Sequence, residues 1–217
     1  MANENDNTFE LSHQLSRQQV EDAVSPFDVV ALLNSDGIKY VLIGGHLLGH
    51  LTGSPRATVD VDVIVDSGQV ARAVRALEAR FPELAVQDLV HNVRFSSQRG
   101  GGLRAIDAER IDVVRADHPL FQRILERYSV TIQSKGHRIL VPTVEAAVAL
   151  KFAAAISPNR GADSTPQDRA DLIAIIRKGS SFDETVLGEL GELIYPGGGK
   201  ELQQVAAGIR AGRNVSL

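Results

Sequence analysis

Two aspartates in a β-rich run of the sequence have the type and the spacing that bind a divalent cation. Asp60 and Asp62 alternate with valines over Val59–Val65, a pattern that predicts a strand. Strand residues two apart point to the same face, so both carboxylates project to one side and the valines pack on the other. Neighbouring carboxylates repel one another, and hard cations such as Mg²⁺ or Mn²⁺ relieve that repulsion. We therefore predict that Asp60 and Asp62 are metal ligands.

A third carboxylate lies in a second β-rich segment. Asp112 stands in the apolar run Ile111–Val114. If this strand neighbours the first, three carboxylates converge, which is the arrangement used for two-metal phosphoryl transfer. Asp112 would then complete the metal site and act as the base that takes a proton from the attacking hydroxyl. The alternative is that Asp112 lies on an edge strand, where its charge only prevents pairing with another chain.

Upstream of the aspartate pair, a set of four residues has the properties of a phosphate-binding pocket. Gly44 and Gly45 stand between a predicted strand, residues 39–43, and a predicted helix. Backbone N–H groups at such a junction approach phosphate oxygens without a Cβ in the way, and the helix N-terminus favours an anion. Arg56 and Thr58 add a guanidinium and a hydroxyl. All four are candidate nucleotide-binding residues; a plain tight turn and an arginine–carboxylate ion pair are the structural alternatives.

These features together resemble the nucleotidyltransferase superfamily that shares the DNA polymerase beta palm. The matching residues are the Gly-Gly turn, the helix after it, the run Arg56-x-Thr58-x-Asp60-x-Asp62 and the later strand aspartate. In that superfamily the turn binds the triphosphate and three carboxylates bind metal ions. The Gly-Gly dipeptide and the spacing of this run are most similar to the AbiEii-like abortive-infection toxins and their relatives.

The second half of the chain adds a looser part of the resemblance. Lys151 lies on an alanine-rich predicted helix, and the sequence QDRADL at 167–172 opens the next one. The toxin family has a helix lysine followed by a basic residue and then D-x-x-D-L, although Gln167 replaces the basic residue here. The resemblance implies that Lys151 contacts the β- or γ-phosphate and takes part in catalysis, and that Asp168 is tied to the nucleotide site. A lysine that extends to solvent from a buried helix and an ordinary first-turn carboxylate are the alternatives.

The resemblance also implies an activity. It predicts Mg²⁺-dependent (or Mn²⁺-dependent) transfer of a nucleoside monophosphate from a nucleoside triphosphate to a hydroxyl of RNA, tRNA in particular, or of a protein. The setting would be a toxin–antitoxin or phage-defence pair with an antitoxin partner. Arginines at four positions are a candidate patch for an RNA acceptor: Arg94, Arg99, Arg104 and Arg110. The rival hypothesis is a catalytically reduced module that binds a nucleotide or a partner without turnover.

Two histidines at helical spacing follow the glycine turn. His46 and His50 are four residues apart, which is a metal-ligand spacing, but the sequence His-Leu-Leu-Gly-His lacks the glutamate of a zinc-protease motif. We interpret them as residues of the helix surface or as neighbours of the nucleotide.

Composition limits the remaining classes. The 217 residues include no cysteine, which excludes disulfides, a thiolate metal site and a cysteine nucleophile. The net charge of −4 excludes a general nucleic-acid-coating polycation. The sequence has no apolar run long enough to span a membrane, and its first residues do not resemble a signal peptide. We expect a cytoplasmic protein that does not contact the membrane.

The alternation of elements predicts an α/β (α+β) protein with a mixed sheet flanked by helices. We expect a flexible N-terminus at 1–16, a nucleotidyltransferase core at 17–141 and a helical C-terminal region at 142–217. Within the core, strands are predicted near 39–43, 59–65, 84–87, 91–97 and 110–115. Gly100–Gly102 has the composition of a hairpin connection.

Overall fold

The chain forms two units, each with its own core. The structure is a computed structural model and describes residues 8–19, 23–97, 108–158, 165–179, 181–213 and 215. The first unit is Met1–Val141 and the second is Pro142–Leu217. None of the helices in these described residues is long and apolar enough to cross a bilayer. The glycines predicted to connect two strands at 100–102 lie outside the described residues.

A five-stranded mixed sheet is the centre of the first unit. Its strands, in the spatial order β1-β2-β5-β4-β3, are β1 (Tyr40–Ile43), β2 (Val61–Val65), β5 (Ala108–Arg115), β4 (Asn92–Ser97) and β3 (Leu84–Asp88). The central pair β2 and β5 is parallel and the other neighbours are antiparallel. The valines of β2 are fully buried, as expected for a central strand. This arrangement confirms the predicted fold class.

A separate two-stranded hairpin also belongs to this unit. It joins β6 (Ser129–Ser134) to β7 (His137–Pro142), and β7 ends on the first residue of the second unit. Its two turn residues, Lys135 and Gly136, both have positive φ, at 50° and 79°. That conformation suits a tight two-residue hairpin turn.

The described residues of the first unit form five helices: α1 (Thr8–Gln19), α2 (Pro26–Ser35), α3 (Gly44–Thr52), α4 (Val70–Arg80) and α5 (Pro119–Arg127). Prolines occupy the first turn of α2 and of α5, where no intrahelical donor is lost. Helix α1 packs on α3 and spans most of the segment expected to be flexible. The sequence does not predict this helix, because its segment is polar and several of its buried residues are serine and threonine.

Four helices make up the described part of the second unit: α6 (Val144–Ile156), α7 (Thr165–Lys178), α8 (Glu184–Glu192) and α9 (Gly198–Arg210). Helix α6 begins at the cap Thr143, whose hydroxyl accepts the amide of Ala146 at 3.3 Å. The helix is alanine-rich and packs on α7 and α8. The sequence does not predict α8, because its interior glycines are typical of loops. A Cβ at Gly191 would lie 2.6 Å from the carbonyl oxygen of Gly198, so the glycine permits close contact with α9.

Candidate active site

The register of the central strands brings two of the predicted metal ligands together. Asp62 on β2 is the direct neighbour of Asp112 on the parallel strand β5. Across the sheet, Ile43 pairs with Asp62 and Arg94 pairs with Asp112, so all four residues lie in one row on one face. Adjacent strands are about 4.8 Å apart, which places the two carboxylates side by side at a half-buried position. Asp112 is therefore not an edge residue.

The third carboxylate directly precedes β2. Asp60 is half-buried, two residues before Asp62. The hydroxyl of Thr58 donates a hydrogen bond of 2.6 Å to Asp60 Oδ1. This contact assigns Thr58 a role that the sequence does not indicate: it orients one oxygen of the carboxylate.

Asn92 is a site residue that the sequence does not reveal. It opens β4 and lies on the same face as Arg94, and its amide nitrogen donates to Asp112 Oδ1. A single asparagine in a predicted strand carries no recognisable pattern. Its relation to Asp112 follows from the pairing of β4 with β5, which is a long-range contact. Asn92 thus holds the carboxylate on the central strand as Thr58 holds Asp60.

The glycine turn lies directly against the carboxylates. Gly44 has φ of +76°, and a Cβ there would overlap Oδ2 of Asp62 and lie 2.8 Å from its Cγ. A Cβ at Gly45 would lie 2.7 Å from both Cβ and Oγ1 of Thr58. Helix α3 begins at Gly44, and the first N–H groups of a helix have no intrahelical acceptor. The turn therefore offers anion-binding amides next to the aspartate row.

His46 lies inside the first unit. Only 1% of the residue is exposed, so the expectation of a helix-surface position is wrong for it. Neither ring nitrogen has a hydrogen-bond partner among the described residues. Burial lowers the pKa of His46 from 6.5 to about 4, with nearby Asp60 opposing and His13 adding to the shift. The imidazole is therefore neutral at neutral pH.

The predicted residues of the second half form an ion-pair cluster within the second unit. Lys151 Nζ lies 3.0 Å from Asp168 Oδ1 and 2.8 Å from Asp171 Oδ2. Gln167 donates to the other oxygen of Asp171 at 2.8 Å. The lysine side chain is 19% exposed and the two carboxylates are nearly fully buried. Asp168 and Asp171 therefore bind the lysine of α6, and the contact of Lys151 with a phosphate stays a prediction.

The donor set suits a hard cation. Asp60, Asp62 and Asp112 supply carboxylate oxygens, which Mg²⁺ and Mn²⁺ prefer, and two of the three are held by neutral donors. In the described part of the chain, no three His, Asp or Glu side chains already stand at metal-ligand distances. Carboxylates repel one another unless a cation lies between them, which is a physical reason for the three side chains to stand apart without a metal. The metal site stays a prediction.

Similar folds define the class of protein. An antigenic nucleotidyltransferase-like protein from Paracoccidioides brasiliensis matches with a TM-score of 0.52 and 17% identity, over 88% of this chain and 92% of that chain. The antibiotic-resistance factor ANT(2'')-Ia matches with a TM-score of 0.50 and 12% identity, over 91% of this chain and 95% of that chain. At such identities the likeness concerns the fold alone. The fold is that of a nucleotidyltransferase.

The family follows from the sequence match. Residues 30–207 match the family described as nucleotidyl transferase AbiEii toxin, type IV TA system. The chain belongs to this family, and it is a nucleotidyltransferase. The match confirms the resemblance that the Gly-Gly turn and the aspartate run predict. No curated protein matches the sequence significantly.

Proposed function

We propose that the enzyme transfers a nucleoside monophosphate from a nucleoside triphosphate to a hydroxyl group, in the presence of Mg²⁺ or Mn²⁺. The acceptor hydroxyl belongs to RNA, with tRNA as the first candidate, or to a protein. The observation that carries this proposal is the pairing of Asp62 with Asp112 on parallel strands, next to Asp60 and the glycine turn. In its biological setting the enzyme acts as the toxin of a toxin–antitoxin or phage-defence pair and is held by an antitoxin.

The three carboxylates have separate roles in this reaction. Asp60 and Asp62 would hold the metal, which would neutralise phosphate charge and lower the pKa of the attacking hydroxyl. Asp112 completes the ligand set and takes the proton of the acceptor hydroxyl. The acceptor oxygen forms a bond to the α-phosphorus, the bond to the bridging oxygen breaks, and pyrophosphate leaves. Asn92 keeps one oxygen of Asp112 engaged, so that the carboxylate faces the reaction in one orientation.

The glycine turn and the segment before β2 bind the triphosphate. The amides of Gly44 and Gly45 face anionic oxygens, Arg56 adds positive charge, and Thr58 supports Asp60. By family resemblance Lys151 contacts the β- or γ-phosphate, with Asp168 as its partner. The opposing hypothesis gives the cluster of Lys151, Asp168 and Asp171 a purely structural role, in holding α6 against α7.

The decisive experiment uses the four α-labelled nucleoside triphosphates with Mg²⁺, each with and without cellular RNA. Wild-type protein is compared with Asp60→Ala and Asp62→Asn. The matched control is Asp88→Asn, which removes a carboxylate from the same sheet but from the opposite face, where Asp88 pairs with Arg115. We expect label in RNA or in protein with the wild type and the control, and none with the site variants.

Two outcomes separate the rival hypotheses. Label that persists in Asp60→Ala would exclude the assigned site. The wild type could instead bind a nucleoside triphosphate in an Mg²⁺-dependent manner and give no labelled product with either RNA or protein as the acceptor. That result would favour the catalytically reduced binding module.

A further inference from the structure

Helix α1 makes contacts with the active-site segment although it precedes the residues that match the family. The match begins at residue 30, and α1 spans Thr8–Gln19. Two of its serines, Ser12 and Ser16, are fully buried. Buried serine hydroxyls require hydrogen-bond partners, so the groups that they bind indicate what the helix supports.

Both serines bind the backbone of the segment that leads into β2. Ser16 Oγ accepts the amide of Thr58 at 2.9 Å and lies 2.5 Å from the carbonyl oxygen of the same residue. It also lies 2.8 Å from the carbonyl oxygen of Ser12, and its single proton serves one of these two acceptors at a time. Ser12 Oγ accepts the amide of Arg56 at 3.1 Å.

This backbone anchor continues to the metal-binding carboxylate. Thr58, whose amide donates to Ser16, donates its own hydroxyl to Asp60. The side chain of Thr58 also fills the space above Gly45, so the anchored residue contacts the glycine turn as well. Thr58 is thereby fixed on three sides, and a change in its position would move Asp60.

The helix itself is held against α3. Phe9 is fully buried and stacks on His50 with ring centroids 5.2 Å apart. A Cβ at Gly49 would lie 2.9 Å from Ser12 Oγ, so the glycine allows α1 to approach closely. These contacts connect α1 both to the helix of the glycine turn and to the segment before Asp60.

We propose that Ser16 is a positioning residue of the active site: it fixes Thr58, and through Thr58 the carboxylate of Asp60. Ser12 does the same for the backbone of Arg56. The proposal rests on the proposed function for its effect on metal binding and turnover. Its structural part, the anchoring of Thr58, is independent of that function.

The test compares Ser16→Ala with Ser35→Ala. Ser35 is also a helix serine, but among the described residues its hydroxyl forms hydrogen bonds only with its sequence neighbours Leu32 and Asp36. Ser12→Ala is a second test variant in case Ser16→Ala fails to fold. Three quantities are measured: hydrogen exchange of the Thr58 and Arg56 amides, Mn²⁺ affinity from the electron paramagnetic resonance signal of free Mn²⁺, and the Mg²⁺ dependence of turnover.

We expect Ser16→Ala to speed exchange of the Thr58 amide, and Ser12→Ala that of the Arg56 amide. Both variants should lower Mn²⁺ affinity and kcat/KM about tenfold, as for lost outer-shell partners of metal ligands. Ser35→Ala should leave all three quantities within about twofold. A loss of folding stability alone would not raise the Mg²⁺ concentration needed by the folded enzyme.

The possible failures are distinguishable. Unchanged exchange at Thr58 in Ser16→Ala would overturn the anchor. If activity requires Asp60, then faster exchange of the Thr58 amide in Ser16→Ala, with unchanged Mn²⁺ affinity and turnover, would overturn the positioning role. If wild-type protein neither binds Mn²⁺ nor turns over any nucleotide, the proposed function fails together with the positioning role, and the exchange data still decide the anchor.

Discussion

Gly44 lies against the carboxylate of Asp62 so closely that no side chain fits at position 44. The glycine turn and the aspartate row are therefore one packed unit. We expect Gly44→Ala to displace the carboxylate and to reduce turnover about 100-fold, the usual effect of a shift of about 1 Å in a catalytic group. The left-handed backbone adds a destabilisation of about 1–2 kcal/mol, measured by urea unfolding.

Gly37→Ala separates these two effects. Gly37 has a similar φ of +61°, but apart from its chain neighbours no described residue has an atom within 4 Å of a Cβ built there. This variant should lose similar stability and keep wild-type turnover. Equal losses of turnover in the two variants would show that backbone strain, and not the contact with Asp62, is responsible.

Asn92 provides the second test of the site. Asn92→Ala removes the donor that holds Asp112, so we expect kcat to fall about 10–100-fold while the KM for the nucleotide changes little. Both constants are measured by steady-state kinetics, with the acceptor that the labelling experiment identifies. The control is Asn34→Ala. The side-chain amide of Asn34 donates to the carbonyl oxygen of Arg138 at 2.7 Å, so this variant also loses an asparagine hydrogen bond, but not one to Asp112. A full kcat in Asn92→Ala would mean that Asp112 needs no support.

The third prediction separates binding from folding at Lys151. Lys151→Met removes the ammonium group that lies 3.0 Å from Asp168 and 2.8 Å from Asp171, so the free energy of unfolding of the second unit should fall by about 3–5 kcal/mol. The triple variant Lys151→Met, Asp168→Asn, Asp171→Asn removes all the charges of the cluster and should recover most of that stability.

Nucleotide affinity in the triple variant decides the role of Lys151. If the lysine contacts the triphosphate, affinity measured by titration calorimetry should stay about tenfold weaker after stability has recovered. Recovery of affinity together with stability would assign the cluster a structural role alone.

The pH dependence of stability provides a fourth prediction, through His46. Its pKa is about 4 in the folded protein and 6.5 in the unfolded chain, so the unfolded state binds the additional proton between these values. The stability contributed by neutral His46 is complete above pH 6.5 and is lost as the pH falls towards 4. At about 1.4 kcal/mol per pH unit, wild-type protein should lose about 2 kcal/mol from this group between pH 6.5 and 5.

Urea unfolding at these two pH values tests the assignment. His46→Gln cannot take up the proton, so its loss of stability over the same interval should be smaller by that amount. The same loss in both proteins would mean that another group causes the acid sensitivity.

The sequence predicts the parts of this fold that depend on local pattern. Alternating valines around Asp62 indicate β2, and the glycine pair indicates the end of β1. These signals depend on neighbouring residues, so one sequence is enough to read them.

The parts that the sequence does not predict depend on long-range contacts. Ser12 and Ser16 have the residue type of a solvent-exposed helix face, yet they are buried because a loop from elsewhere in the chain supplies their partners. Asp168 and Asp171 have the positions of first-turn charges, but their partner Lys151 lies on the preceding helix. Arg110, one of the arginines considered for RNA, is only 1% exposed, so it is not part of a surface patch.

The order of the strands also determines when in synthesis the three aspartates can come together. Asp62 and Asp112 lie side by side, but α4, β3 and β4 come between their strands in the chain. Such a pairing closes a long loop and belongs to the slower contacts in folding. A nascent chain that has emerged from the ribosome only as far as β4 contains the glycine turn and two aspartates but not the third. During synthesis, the three aspartates proposed as the catalytic set therefore do not come together until β5 has inserted between β2 and β4.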